Sequence, residues 1–146
     1  GNSVYNAGAS AGAKLYVESC LVEACRAGAA EIAKGEDLET VNFGDGIVAE
    51  KALLNVANST VLGNHRCGIY FWESSGGVTG STVAANLSYG LAMMNCDGQV
   101  GWEDSGNAVS GNCTGMENQA WAQQVTETPG GLPVPPAPAP ALPQAK

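Results

Sequence analysis

The sequence predicts an all-β fold in which short parallel strands wind into about four stacked coils of roughly 22 residues. Three observations carry this: a 22-residue self-similarity, single inward aliphatic positions without helical period, and a composition poor in charge and rich in small residues. Of 146 residues, 14% are charged, 45% are hydrophobic and 20 are glycine. Glycine, alanine, serine, asparagine and threonine stand where a helical protein places lysine and glutamate, and such chains favour strands and tight turns.

The repeat is read by aligning Gly46, Gly68 and Gly90, which are followed by Ile47, Ile69 and Leu91. Ten residues after each glycine stand Val56, Val78 and Val100, and Ser59-Thr60-Val61 recurs as Ser81-Thr82-Val83. Asn64 and Asn86 follow at the same spacing, while Val109 and Asn112 arrive four residues late, which places an insertion around 102–106. Val17 and Val22 repeat the spacing of Val56 and Val61, but Val17 precedes Val56 by 39 residues rather than 22, so 17 extra residues lie between Arg26 and Asp45. Coils are therefore expected near 14–45, 46–67, 68–89 and 90–112, within a domain of 1–125. Residues 22 apart stack at the strand spacing of about 4.8 Å. Val56, Val78 and Val100 should form one ladder, and Asn64, Asn86 and Asn112 another at a turn of left-handed backbone. A helical solenoid is excluded, since no line places apolar residues at i, i+3, i+4 and i+7.

At Asn58-Ser59-Thr60-Val61-Leu62-Gly63-Asn64-His65-Arg66-Cys67-Gly68-Ile69 the chain resembles the right-handed parallel β-helix family, the architecture of pectate-lyase-like proteins and phage tailspikes. The resemblance covers about Lys14 to Asn112. It implies a fold and little about function, because the repeat describes the core.

All seven prolines fall between Pro129 and Pro143, so residues 126–146 should be an extended, proline-rich tail. Fourteen acids against six bases give a net charge of -8, which argues against a nucleic-acid backbone or an anionic membrane surface as partner. No apolar run reaches the ~20 residues of a membrane span. The opening Gly1-Asn2-Ser3 carries no leader pattern and reads as the start of an excised piece.

Five cysteines without a Cys-x-x-Cys pair suggest structural thiols or disulfides in an oxidising compartment, hence a secreted or cell-surface protein. Cys96 and Cys113 flank the last insertion and form the expected disulfide. Asn58, Asn86 and Asn112 each head an Asn-x-Ser/Thr glycosylation acceptor. Gly8-Ala9-Ser10-Ala11-Gly12 matches a nucleophile elbow, followed in order by Asp45 and His65, but that motif needs a strand-to-helix turn on an α/β sheet. His65, the single histidine, reads as a solvated turn residue. The acids between Arg26 and Asp45 read as a solvated loop or short helix. No motif requires a metal or another cofactor.

Alternation puts Ile69 and Phe71 inside and Tyr70 and Trp72 outside. Glu73 then stacks on Lys51, with Asn95 beyond and Asp97 two residues further on. Rings beside carboxylates suit a sugar, so Tyr70, Trp72, Glu73 and Asp97 are the candidate binding face. The same face could instead be covered by the insertion before Asp45 or by another subunit. Function is expected to be non-catalytic: an extracellular structural or carbohydrate-contacting module whose partners are polysaccharide or copies of itself. The alternative is a fragment of a polysaccharide lyase or glycoside hydrolase, with Glu73 and Asp97 as the carboxylates and Arg66 as the cation.

Overall fold

A computed structural model describes residues 5–9, 12–26, 28–34, 37–112 and 120–123, and every element in them is a strand. The chain begins with β1 (Tyr5–Ala9), β2 (Lys14–Glu18) and β3 (Leu21–Glu23), then makes an antiparallel hairpin of β4 (Gly28–Lys34) and β5 (Asp37–Phe43). Next come β6 (Asp45–Glu50), β7 (Leu53–Ala57) and β8 (Thr60–Leu62), then β9 (Ile69–Trp72), β10 (Ser75–Thr79) and β11 (Thr82–Ala84). β12 (Leu91–Met94), β13 (Val100–Gly101), β14 (Ala108–Ser110) and β15 (Ala120–Gln123) complete the set.

These strands form three parallel sheets, ordered β1-β6-β9-β12-β15, β13-β10-β7-β2 and β14-β11-β8-β3, which we call A, B and C. The chain visits A, B and C in the same order in every circuit, and the register is that of the 22-residue repeat. Ile47 pairs with Ile69 and Ile69 with Leu91 in sheet A. Val17, Val56 and Val78 are in register in sheet B, as are Val22, Val61, Val83 and Val109 in sheet C. The inward residues of all three sheets, among them Ile47, Leu54, Val61, Phe71 and Val83, make one apolar core.

Each circuit turns at corners where one residue takes the left-handed backbone and the next side chain points inward. The corner after sheet A uses Lys51, Glu73 and Asn95 at φ of 50°, 46° and 52°. The corner after B uses Ser19, Asn58 and Gly80, and the corner after C uses Ala24, Gly63, Ala85 and Gly111. Left-handed backbone costs a non-glycine residue roughly 1–2 kcal/mol, and bonds made by the following residue offset that cost. At the B corner Ser59 Oγ accepts the Cys20 N–H (3.1 Å) and donates to Ala57 O (2.7 Å); Ser81 repeats this with Ser59 and Thr79. At the C corner Asn64 donates from N and Nδ2 to Asn86 Oδ1 (3.1 and 2.8 Å), and Asn86 does the same to Asn112 (3.1 and 2.7 Å).

The glycine and asparagine signals of the repeat are one device. A Cβ at Gly46 or Gly68 would stand 2.7 Å from Nδ2 of Asn64 or Asn86 respectively, and one at Gly90 would meet Asn112 Nδ2 at 2.5 Å. Glycine opens each circuit because the asparagine amide of the same circuit fills the space a side chain would need.

Three expectations are corrected. Val100 pairs with Gly76, not Val78. The four extra residues are split, two of them (Asp97 and Gly98) preceding Val100 in a turn closed by Gln99 N–H on Cys96 O (2.8 Å). Val100 is still a core residue, because a shift of two preserves the inward side. The asparagines are not themselves left-handed; Gly63, Ala85 and Gly111 before them are. The residues between Arg26 and Asp45 hold an antiparallel hairpin in place of a loop or helix, with β-branched Thr40 and Val41 and aromatic Phe43 favouring strand. Strands also lie outside the Lys14–Asn112 span, since β1 pairs with β6 and β15 with β12. The proline-rich tail lies outside the described residues.

Candidate functional site

The corner between sheets A and B carries a shallow groove of about 280 Å³, lined by Lys14, Lys51, Glu73, Ser75 and Gln99 among others. Its residues come from successive layers of the repeat, so the groove runs along the stacking axis. The expected Lys51–Glu73 stack is present, with Nζ 3.6 Å from Oε2. Lys51 Nζ also sits 5.4 Å from the centre of the Trp72 ring, a cation–π distance. An exposed ion pair of this kind contributes about 0–1 kcal/mol. Its effect is to hold a cation and a carboxylate at the groove wall rather than to hold the fold together.

Neither Asp97 nor Arg66 is among the residues that line the groove. Asp97 is exposed in the inserted turn, with φ of 50°. Arg66 precedes β9 whereas Glu73 follows it, so about 13 Å of strand lies between them. Its guanidinium instead lies 3.5 Å from Asp45 Oδ2. The cation beside Glu73 is therefore Lys51.

Arg66 and Asp45 are part of a buried cluster where the hairpin rejoins sheet A. Asp45 is 1% exposed; its Oδ1 accepts the Cys67 N–H (3.0 Å), and the Arg66 N–H donates to Gly44 O (3.0 Å). Burial raises the Asp45 carboxyl above its ordinary value, and Arg66 and the Cys67 N–H offset only part of that. Burial, helped by the Asp45 charge, pushes the Cys67 thiol up to about 12, which makes it a poor nucleophile at neutral pH. The Tyr70 phenol is likewise raised, by burial first and then by Cys67. A signal for this cluster was available in the sequence: Asp45, Cys67 and Tyr89 each precede a repeat glycine and so form one column.

Tyr70 and Trp72 point away from the core as alternation requires, yet they are 0% and 3% exposed. With Val48, Cys67, Tyr89, Ala92 and Met94 they form a second apolar cluster on the outer face of sheet A. Trp72 Nε1 is buried within it and makes no hydrogen bond. In this arrangement neither ring is presented to a sugar, and the corner groove is an accessible polar surface.

The expected Cys96–Cys113 disulfide is not what Cys96 does. Cys96 is a free, buried thiol whose sulfur donates to Met94 O (3.4 Å). It occupies the place that Ser74 holds one circuit earlier, where Oγ accepts the Ala52 N–H (3.2 Å). Cys113 lies outside the described residues. Cys20 and Cys25 fill the serine and asparagine columns of the first circuit, at the corners after the strands that end sheets B and C. Four thiols placed by columns rather than by pairing carry no information about the redox compartment. Of the three glycosylation acceptors, Asn58 is exposed, whereas Asn86 and Asn112 are each 1% exposed with their amides in the ladder.

Among the described residues no cluster of three or more His, Cys, Asp or Glu could hold a metal, and no helix is long and apolar enough to cross a membrane. No family model matches the chain, and neither a curated protein nor a solved structure matches it.

Proposed function

We propose that this chain is a right-handed parallel β-helix of about four coils that serves as a non-catalytic, extracellular structural module, contacting polysaccharide along its corner groove. The hand follows from the strong preference of parallel strand crossovers. The observation carrying the reading is that, among the described residues, the buried acid and the buried thiols are committed to structure. Asp45 is pinned between Arg66 and the Cys67 N–H, and the Cys67 and Cys96 thiols are buried with raised pKa. A hydrolase needs two carboxylates about 5–10 Å apart across one bond, and Asp97 is not among the residues that line the groove beside Glu73. The groove offers an ammonium, a carboxylate and an amide (Lys51, Glu73 and Gln99) within one open channel, groups that suit sugar hydroxyls.

Affinity electrophoresis in gels containing neutral and acidic plant or bacterial polysaccharides tests this. Retardation that Lys51→Ala and Gln99→Ala together reduce, without release of reducing or unsaturated sugar, supports the module. Sugar release abolished by Glu73→Gln would establish the lyase or hydrolase reading instead. Unretarded migration in every gel would remove the polysaccharide role.

A further inference from the structure

Three Asn-x-Ser/Thr acceptors lie in one repeat, and the fold treats them differently. Asn86 Nδ2 donates to Asn112 Oδ1 (2.7 Å), and Asn112 Nδ2 donates to Val83 O (2.9 Å). A sugar on either nitrogen would break the ladder and would have to fit inside the coil. Asn58 is the left-handed residue of the B corner (φ 49°) and its side chain is exposed. The following Ser59, not Asn58, performs the inward bonding there. On the next circuit the neighbouring position is Gly80, where even a Cβ would stand 2.7 Å from Asn58 Oδ1. The one acceptor whose amide is spare is thus flanked by a residue without a side chain.

We propose that Asn58 is a site of N-linked glycosylation, and that Asn86 and Asn112 are excluded by their part in the amide ladder. In the transfer the Asn58 Nδ2 attacks the anomeric carbon of a lipid-pyrophosphate-linked glycan. The C–N bond forms as the sugar–phosphate C–O bond breaks, the amide loses one proton, and the lipid pyrophosphate departs. Thr60 supplies the third residue of the acceptor. The glycan would stand at the far end of β7 from the groove, which begins at Leu53, so sugar attachment leaves the groove open. The proposal rests on the extracellular part of the reading above.

The full chain, secreted from a eukaryotic host behind a cleavable leader, provides the test. Peptide mass spectrometry after glycosidase treatment should find a glycan on Asn58 alone, on protein that melts cooperatively. Asn58→Gln and Thr60→Ala should each abolish the electrophoretic shift, Thr60→Ser should keep it, and Ser88→Ala and Thr114→Ala should leave it unchanged. Folded, secreted protein without a glycan on Asn58, or with one on Asn86 or Asn112, overturns the proposal. Polysaccharide retardation is measured separately on unglycosylated protein, so either idea can fail while the other stands.

Discussion

Replacing Asn86 by leucine tests the amide ladder at its centre. The substitution keeps approximate volume, so little cavity forms, but it removes the oxygen that accepts both the Asn64 N–H (3.1 Å) and Asn64 Nδ2 (2.8 Å). It also removes the donor to Asn112 Oδ1 (2.7 Å). Asn64 and Asn112 are as buried as Asn86, so water cannot replace the lost partner. Each buried group left unsatisfied costs about 1–3 kcal/mol. Two orphaned donors therefore give an expected loss of about 2–6 kcal/mol, a large part of the ~5–15 kcal/mol that stabilises an ordinary domain. Urea unfolding followed by circular dichroism reads this directly, with Thr82→Ala on the exposed side of β11 as a control expected within about 0.5 kcal/mol. Asn86→Asp adds a second readout, because its charged form can accept from Asn64 but cannot donate to Asn112. Its stability should recover on acidification, when the protonated carboxyl donates as the amide did. A loss below about 1 kcal/mol for the leucine variant would refute the view that the ladder stabilises the stack.

Trp72→Ala should cost about 3–5 kcal/mol in the same assay, as for a core aromatic, since the ring is buried on the outer face of sheet A; a loss under about 1 kcal/mol would mean the ring is uncovered in solution. Cys67 and Cys96 should resist a thiol reagent at pH 8 until the chain unfolds, while the exposed Cys20 is labelled at once; rapid labelling of Cys67 would contradict its burial. Asp45 should give a pH dependence opposite to that of a surface-paired carboxylate. Its folded pKa is raised, so the stability it contributes is fully present below its ordinary value near 3.8 and is lost as pH rises through the folded value. The unfolding free energy of wild type minus that of Asp45→Asn should fall as pH rises above the ordinary value near 3.8; a rise would reverse the assignment.

The repeat was legible where a constant shift of 22 brought like residues together, as at Ile47, Ile69 and Leu91 or at Asn64 and Asn86. It misplaced Val100 because two insertions of two residues look the same as one insertion of four, and both leave an aliphatic side chain facing inward. β1 escaped notice because its small residues Ala7 and Gly8 stand opposite Ile47 and Val48, so no apolar signal marks them. The outward direction of Tyr70 and Trp72 was readable from alternation, but their burial was not, since it depends on what lies against the sheet from outside. The cysteines misled because composition counts thiols and cannot see that three of them fill serine or asparagine positions in corner columns.

The ladders also have a direction. At the B and C corners the N–H of each circuit is received by a side-chain oxygen of the next one: Cys20 by Ser59, Ser59 by Ser81, Cys25 by Asn64, Asn64 by Asn86. A chain emerging amino end first from the ribosome therefore always carries a newest circuit whose corner amides await a partner not yet made. Each arriving circuit completes its predecessor and leaves the same want at its own rim, so growth proceeds one way, like masonry laid course upon course.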